Sequence, residues 1–181
     1  MSVSIKTARE IEQMRTAGHL LEEVHDYLAT LIRPGISTWE LDHEGEKMIR
    51  RLGCTPNFLN YEGFPASFCI CINDEVVHGI PSKERIIQEG DLVKIDAGLI
   101  YEGYHSDAAR TYGVGEITED ARRLMEVTKQ SFFEGIKYAK AGNHLNDISA
   151  AIGDYAEGFG YGVVRDLVGH GIGTHLHEDP Q

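Results

Sequence analysis

Between Gly90 and Tyr112 the residue pattern leaves room for little other than a β-hairpin. Two arms rich in β-branched and aromatic residues, Leu92 to Tyr101 and Tyr104 to Tyr112, flank Glu102-Gly103. Glycine tolerates the positive φ that two-residue hairpin loops require, so the turn falls there. That placement fixes the register. Tyr101 pairs with Tyr104, Gly98 pairs with Asp107, and Asp96 lies diagonally from Asp107. Cross-strand partners share a face, so both aspartates point the same way.

Small or apolar residues surround this pair: Ile95, Ala97, Gly98, Ala108 and Ala109. Such a face is covered rather than bathed in water. Two carboxylates held close together under cover repel, and a shared proton, a basic partner or a metal ion relieves them. A solvated hairpin carrying two unremarkable aspartates is the competing reading of this stretch alone.

The surrounding chain is of ordinary globular make-up. With 181 residues, 41% of them hydrophobic and 25% charged, it suits a single domain with one substantial core. A formal charge of −12 argues against a nucleic-acid backbone or an anionic membrane as main partner. Met1 to Thr7 lacks the apolar centre of a signal peptide and no later run is long enough to span a bilayer, so the expectation is a cytoplasmic protein. Cys54, Cys69 and Cys71 are an odd number in that reducing setting, which disfavours structural disulfides. Cys69 and Cys71 would share one strand face and could offer zinc two soft ligands. With no further cysteine nearby they read as small core residues.

Taken in order, Thr7-Ala8-Arg9-Glu10 forms a capping box ahead of a helix with Ile11, Met14, Ala17, Leu20, Leu21, Val24, Leu28 and Leu31 at helical spacing. Pro34-Gly35 ends it. Ser37 or Thr38 caps a second helix through Leu41, Met48, Ile49 and Leu52, closed by Gly53. An aromatic loop from Pro56 to Pro65 carries Phe58, Tyr61 and Phe64, and Ser67 to Ile72 alternates as a strand does. After the hairpin, Thr118 to Lys140 is a helix with Leu124, Val127, Phe132, Ile136 and Ala139 as its stripe, followed by another over about Leu145 to Phe159. The two helix pairs correspond. Gly35 matches Gly142, Leu41 matches Ile148, and Gly53 matches Gly160, all at an offset of 107 positions, as a duplicated unit would. The expectation is one domain over 1–181, with a first half of about 1–115 and a shorter second half of about 116–181.

Three histidine sites stand beside the aspartates. His78 lies in Asn73-Asp74-Glu75-Val76-Val77-His78-Gly79-Ile80-Pro81, where plain surface is the competing reading. His170 lies in Gly169-His170-Gly171-Ile172-Gly173, whose glycines let backbone approach something closely. The third site is His175-Leu176-His177-Glu178. Adding His170 to two carboxylates gives a donor set suited to manganese, iron, cobalt or zinc and unlike a thiolate clip. His105 shares the hairpin face with Asp107 and is a rival ligand, but it sits beside the turn where solvent is expected. No His-Glu-x-x-His helix, Gly-x-Ser-x-Gly elbow or phosphate loop is present to favour the common alternatives.

Together these blocks, with Lys94-Ile95-Asp96-Ala97-Gly98, Tyr104-His105-Ser106-Asp107 and the run from Gly169 to Pro180, resemble those of bacterial type I methionine aminopeptidases of the pita-bread fold. The likeness extends from the first helix to Gln181. It implies an α+β fold of two pseudo-symmetric halves, each a helix pair with antiparallel strands, the second half incomplete. It also implies metal-dependent removal of the initiator methionine from nascent polypeptides, preferring a small second residue. By that resemblance Asp96, Asp107 and His170 are ligands of two divalent ions, cobalt, manganese, iron or zinc. His78 and His177 are the catalytic, substrate-holding histidines, and Tyr61, Phe64, Cys69 and Leu176 line the pocket for the methionine side chain. The partner is the amino-terminal peptide of a nascent chain, with the enzyme a monomer near the ribosome. Two further glutamate ligands that the family places beyond the Gly-His-Gly-Ile-Gly block have no counterpart before Gln181, so these 181 residues by themselves are expected to make a weak enzyme and a marginal fold. The alternatives are a non-catalytic peptide-binding module of the same fold and an Xaa-Pro-specific aminopeptidase.

Overall fold

A computed structural model describes residues 3–181. Met1 and Ser2, the start of the amino-terminal stretch read above, lie outside the described residues. The chain forms two compact units, one of Met1–Glu116 together with Gly169–Gln181 and the other of Ile117–Val168.

In the first unit, Thr7 caps helix α1 (Ala8–Leu31) and Ser37 caps helix α2 (Thr38–Arg51). Each is paired with a glutamate at the third helical position, so both capping boxes form. Ser37 rather than Thr38 takes the cap, because Thr38 is already buried and bonded to Ser82. Strands β1 (Thr55–Pro56), β2 (Phe68–Ile72), β3 (Leu92–Tyr101) and β4 (Tyr104–Gly113) make one antiparallel sheet. β3 is its centre. β4 runs along one edge of it, while β1 and β2 pair with successive stretches of the other. The hairpin register is as the turn predicted, with Tyr101 opposite Tyr104 and Gly98 opposite Asp107. Glu102 and Gly103 both have positive φ, which matches the right-handed twist of the arms.

Alternation then divides the sheet. Val93, Ile95, Ala97 and Leu99 of β3, with Phe68 and Ile70 of β2, face a core completed by Ala17, Leu21, Val24 and Leu28 of α1 and Leu41 and Ile49 of α2. Each fully buried leucine, isoleucine or phenylalanine contributes about 1.5–3 kcal/mol. Ile11, expected on the buried stripe of α1, is exposed because that stripe reaches the sheet only from Ala17 onward. The fully buried His25 ties α1 to β4 through Nε2 to the Ala108 carbonyl at 2.9 Å and Nδ1 to the Tyr112 hydroxyl at 3.2 Å. The opposite face of β3 presents Asp96 and Gly98.

The second unit holds α3 (Glu119–Ile136) and α4 (Leu145–Gly158). Of the expected stripe of α3 only Val127 is buried. Leu124, Phe132 and Ile136 are exposed, and the buried line is Val127, Ser131 and Gly135. A side chain at Gly135 would meet that of Ile152 at 2.5 Å, so close approach of the two helices selected small residues over large ones. The helix pairs do echo each other: Gly35 and Gly142, and Gly53 and Gly160, all take positive φ. No described helix is long and apolar enough to cross a membrane.

Candidate active site

All of the candidate residues belong to the first unit. The hairpin aims Asp96 and Asp107 off the face opposite the core, Asp96 beside Cys69 of β2 and Asp107 opposite Gly98. Their carboxyl groups are close enough to act on each other's ionisation. Two ionised carboxylates held that way repel, and a proton or a cation relieves them. Burial, and then the neighbouring Asp107, push the Asp96 carboxyl up to about 7. Burial also raises Asp107, partly offset by His170 and His177. The pair titrates as a unit, and a cation is what would let both acids ionise at neutral pH.

His170 supplies the third donor. Its loop is closed by the Gly171 N–H to the Pro180 carbonyl at 2.9 Å and the Glu178 N–H to the Gly171 carbonyl at 2.8 Å. There is no room for a side chain at Gly171, where a Cβ would lie 2.7 Å from the Asp179 carbonyl oxygen. His170 Nδ1 lies 2.9 Å from the Gly171 carbonyl oxygen, which can only accept, so Nδ1 carries the hydrogen. In the neutral ring Nε2 therefore turns a lone pair toward Asp107 Oδ2 at 3.7 Å. A lone pair facing a carboxylate is repulsive unless a proton or a metal ion joins them, and a backbone carbonyl fixing the far nitrogen is how ligating imidazoles are oriented. Among the described residues no three histidine, cysteine or acidic side chains are gathered tightly enough to hold an ion as they stand. The donor chemistry of Asp96, Asp107 and His170 nonetheless fits a first-row divalent ion.

His177 packs its ring edge-on against His170, centroids 4.3 Å apart, and its Nδ1 is 2.8 Å from the Tyr61 hydroxyl. Leu176, Cys69 and Phe58 form a small apolar cluster apart from the main core, with Phe64 and Ile172 packed on it. The structure thus brings Phe64, Cys69 and Leu176 together as expected, places Tyr61 at His177, and adds Phe58 and Ile172. Burial, then Asp96, push the Cys69 thiol up to about 12, so it is a neutral, soft wall rather than a thiolate. His78 is exposed and has a left-handed backbone. Among the described residues its ring has no hydrogen-bond partner. His105 departs from expectation. It is half-buried, because its N–H bonds the Gly173 carbonyl at 2.8 Å and brings the histidine-rich loop over it.

Sequence reasoning gave no place to Asn57, which is only 5% exposed. Its N–H bonds the Gly98 carbonyl at 3.3 Å and its amide nitrogen bonds the Ser106 carbonyl at 3.2 Å, bracing both hairpin strands beside Asp107. Its side chain fills the space that a Cβ on Gly98 would need. A glycine in mid-strand opposite an aspartate was the available signal.

A fold of this kind, carrying paired half-buried acids with an imidazole beside them, has the donor set of a metal-dependent hydrolase. The model of metallopeptidase family M24 matches residues 12–181, and the chain belongs to that family. It is 51% identical to a methionine aminopeptidase of Clostridium acetobutylicum over 99% of this chain and 72% of the relative. The crystal structure of a methionine aminopeptidase from Thermotoga maritima superposes with a TM-score of 0.97 at 40% identity, covering 99% of this chain and 72% of that one. An Xaa-Pro dipeptidase from Bacillus anthracis is more distant, with a TM-score of 0.83 and 30% identity over 97% of this chain and 48% of its own.

Proposed function

We infer that the chain is a methionyl aminopeptidase: it releases the amino-terminal methionine of a polypeptide by metal-dependent hydrolysis, preferring a small second residue. The observation that carries this reading is the Asp96–Asp107 pair with the His170 lone pair turned toward it. Asp96, Asp107 and His170 hold two divalent ions of the manganese, iron, cobalt and zinc group. When bound, such ions supply Lewis acidity toward the scissile carbonyl and lower the pKa of water. The chain's own residues do the rest. With the Tyr61 hydroxyl, 2.8 Å from His177 Nδ1, as the donor, the ring hydrogen sits on Nε2, where it can donate to the substrate carbonyl oxygen as charge builds there. His78 is a second donor on its exposed loop. Phe58, Phe64, Cys69 and Leu176 receive the methionine side chain, whose thioether gains from aromatic edges.

The test is release of free methionine from Met-Ala-Ser compared with cleavage of an Xaa-Pro peptide, both with saturating manganese or cobalt. The account expects Met-Ala-Ser to be the better substrate. Faster Xaa-Pro cleavage would transfer the chain to the specificity of its dipeptidase neighbour. Peptide binding without any metal binding would make it a non-catalytic module.

A further inference from the structure

Lys6 is 172 positions from Glu178 in sequence, yet its ammonium is paired with the Glu178 carboxylate. Both side chains are largely covered, at 15% and 12% exposure, unlike most ion pairs on this molecule. Glu178 also works inward: its other oxygen accepts the His175 N–H at 3.1 Å and the Thr174 hydroxyl at 3.3 Å, closing the 174–178 loop on itself. The Lys6 pairing is the chief influence holding the Glu178 carboxyl below the usual range, so the carboxylate is kept in its accepting form. The aliphatic stem of Lys6 lies against Gly173, where an added Cβ would meet Lys6 Cε at 2.5 Å and Glu178 Oε1 at 2.6 Å. From the other side the Gly173 carbonyl takes the His105 N–H. The amino-terminal segment, the acidic cap and the hairpin thus converge on one short loop, the loop that carries Leu176 and His177.

We propose that Lys6 is a positioning residue: through Glu178 it fixes the 174–178 loop, and so sets His177 and Leu176 relative to the carboxylate pair. Nothing in Lys6 touches Asp96, Asp107 or His170, so the role separates turnover from metal binding. Positional errors of about 1 Å cost up to about 10²-fold in rate. The same geometry explains the second glycine after His170. An added Cβ at Gly173 would oblige the Lys6 and Glu178 side-chain ends to shift, so Gly173→Ala displaces what Lys6→Met unpairs.

The proposal rests on the aminopeptidase reading, and its test has one arm that does not need turnover. Lys6→Met, Lys6→Arg and Gly173→Ala are compared with the parent for kcat and KM on Met-Ala-Ser, manganese affinity, melting temperature, and amide hydrogen exchange over residues 171–180. The expected result is a fall in kcat of about tenfold or more in Lys6→Met and Gly173→Ala. Manganese affinity should stay within about twofold, since the carboxylate pair is untouched, and exchange at the His175 amide should rise, since that N–H loses its fixed acceptor. Lys6→Arg, which keeps the charge, recovers most of the rate. Parent-like kcat and parent-like exchange in Lys6→Met overturn the proposal. So does a loss that Lys6→Arg leaves uncorrected, or one in which metal affinity falls in step with kcat. If the parent itself releases no methionine, the functional reading fails, and the exchange data still decide whether Lys6 holds the loop.

Discussion

At the scale of single residues the site is defined by a conflict and its remedy. Asp96 binds a proton in the folded protein at a pH where the unfolded chain has lost it, because burial and Asp107 oppose its ionisation. A folded-state pKa above the unfolded one means that the metal-free protein loses stability as pH rises, from the ordinary aspartate range up to about 7. Asp96→Asn removes that penalty. The variant should therefore be more stable than the metal-free parent at pH 8, by about 1–3 kcal/mol, with the gain vanishing near pH 4. Chemical denaturation at the two pH values measures it, and equal stability at pH 8 would contradict the assigned carboxyl pair. The same variant should bind no manganese, so a residue that costs the empty fold stability is retained for its ligand. In the parent, manganese competes with protonation of the raised Asp96 carboxyl, and its affinity should climb between pH 6 and pH 8.

Among elements, the hairpin was the most legible because two independent signals agreed. Period-two alternation set which residues face the core, and Glu102-Gly103 set the register. The first helix was legible from its capping box, and the second from a Ser37 or Thr38 cap and its closing Gly53. α3 was legible as a helix but only partly in its buried face, where Val127 held and Leu124, Phe132 and Ile136 did not, since its sequence carries two overlapping faces. The larger one, with Phe132 and Ile136, outweighs the small line of Val127, Ser131 and Gly135 in any hydrophobic pattern, yet only the small line permits contact with Ile152. Glycine within helices behaves in the same way at Gly45 of α2. In an open helix Gly→Ala gains about 1 kcal/mol. Here a Cβ would lie 2.6 Å from the fully buried Phe68 ring, and Gly45→Ala should instead destabilise by about 1–3 kcal/mol. A urea midpoint above that of the parent would show that Phe68 can yield, and that the helix-to-strand packing is looser than described.

For the molecule as a whole, the sequence foretold the α+β class, the second pair of helices and residues that the fold draws together around Asp107, because glycines, acids and histidines at fixed offsets survive as local patterns. Long-range partners leave no such trace. The Lys6–Glu178 pair joins the two ends of the first unit, and Asn57 reaches the hairpin from a loop. In each case an ordinary polar residue acquires its role only when the fold brings a distant backbone to it. His105 was misjudged for the same reason: the segment that covers it lies far along the chain.

The claim on which everything else depends is that Asp96, Asp107 and His170 hold the metal that the chemistry needs. Calorimetric titration of the protein with manganese, paired with methionine release from Met-Ala-Ser on the same samples, tests it most directly in the parent, Asp107→Asn and His170→Ala. Both substitutions should abolish or greatly weaken manganese binding, and methionine release should fall at least about 10²-fold with it. Undiminished manganese binding in Asp107→Asn, or full methionine release without bound metal, would contradict it.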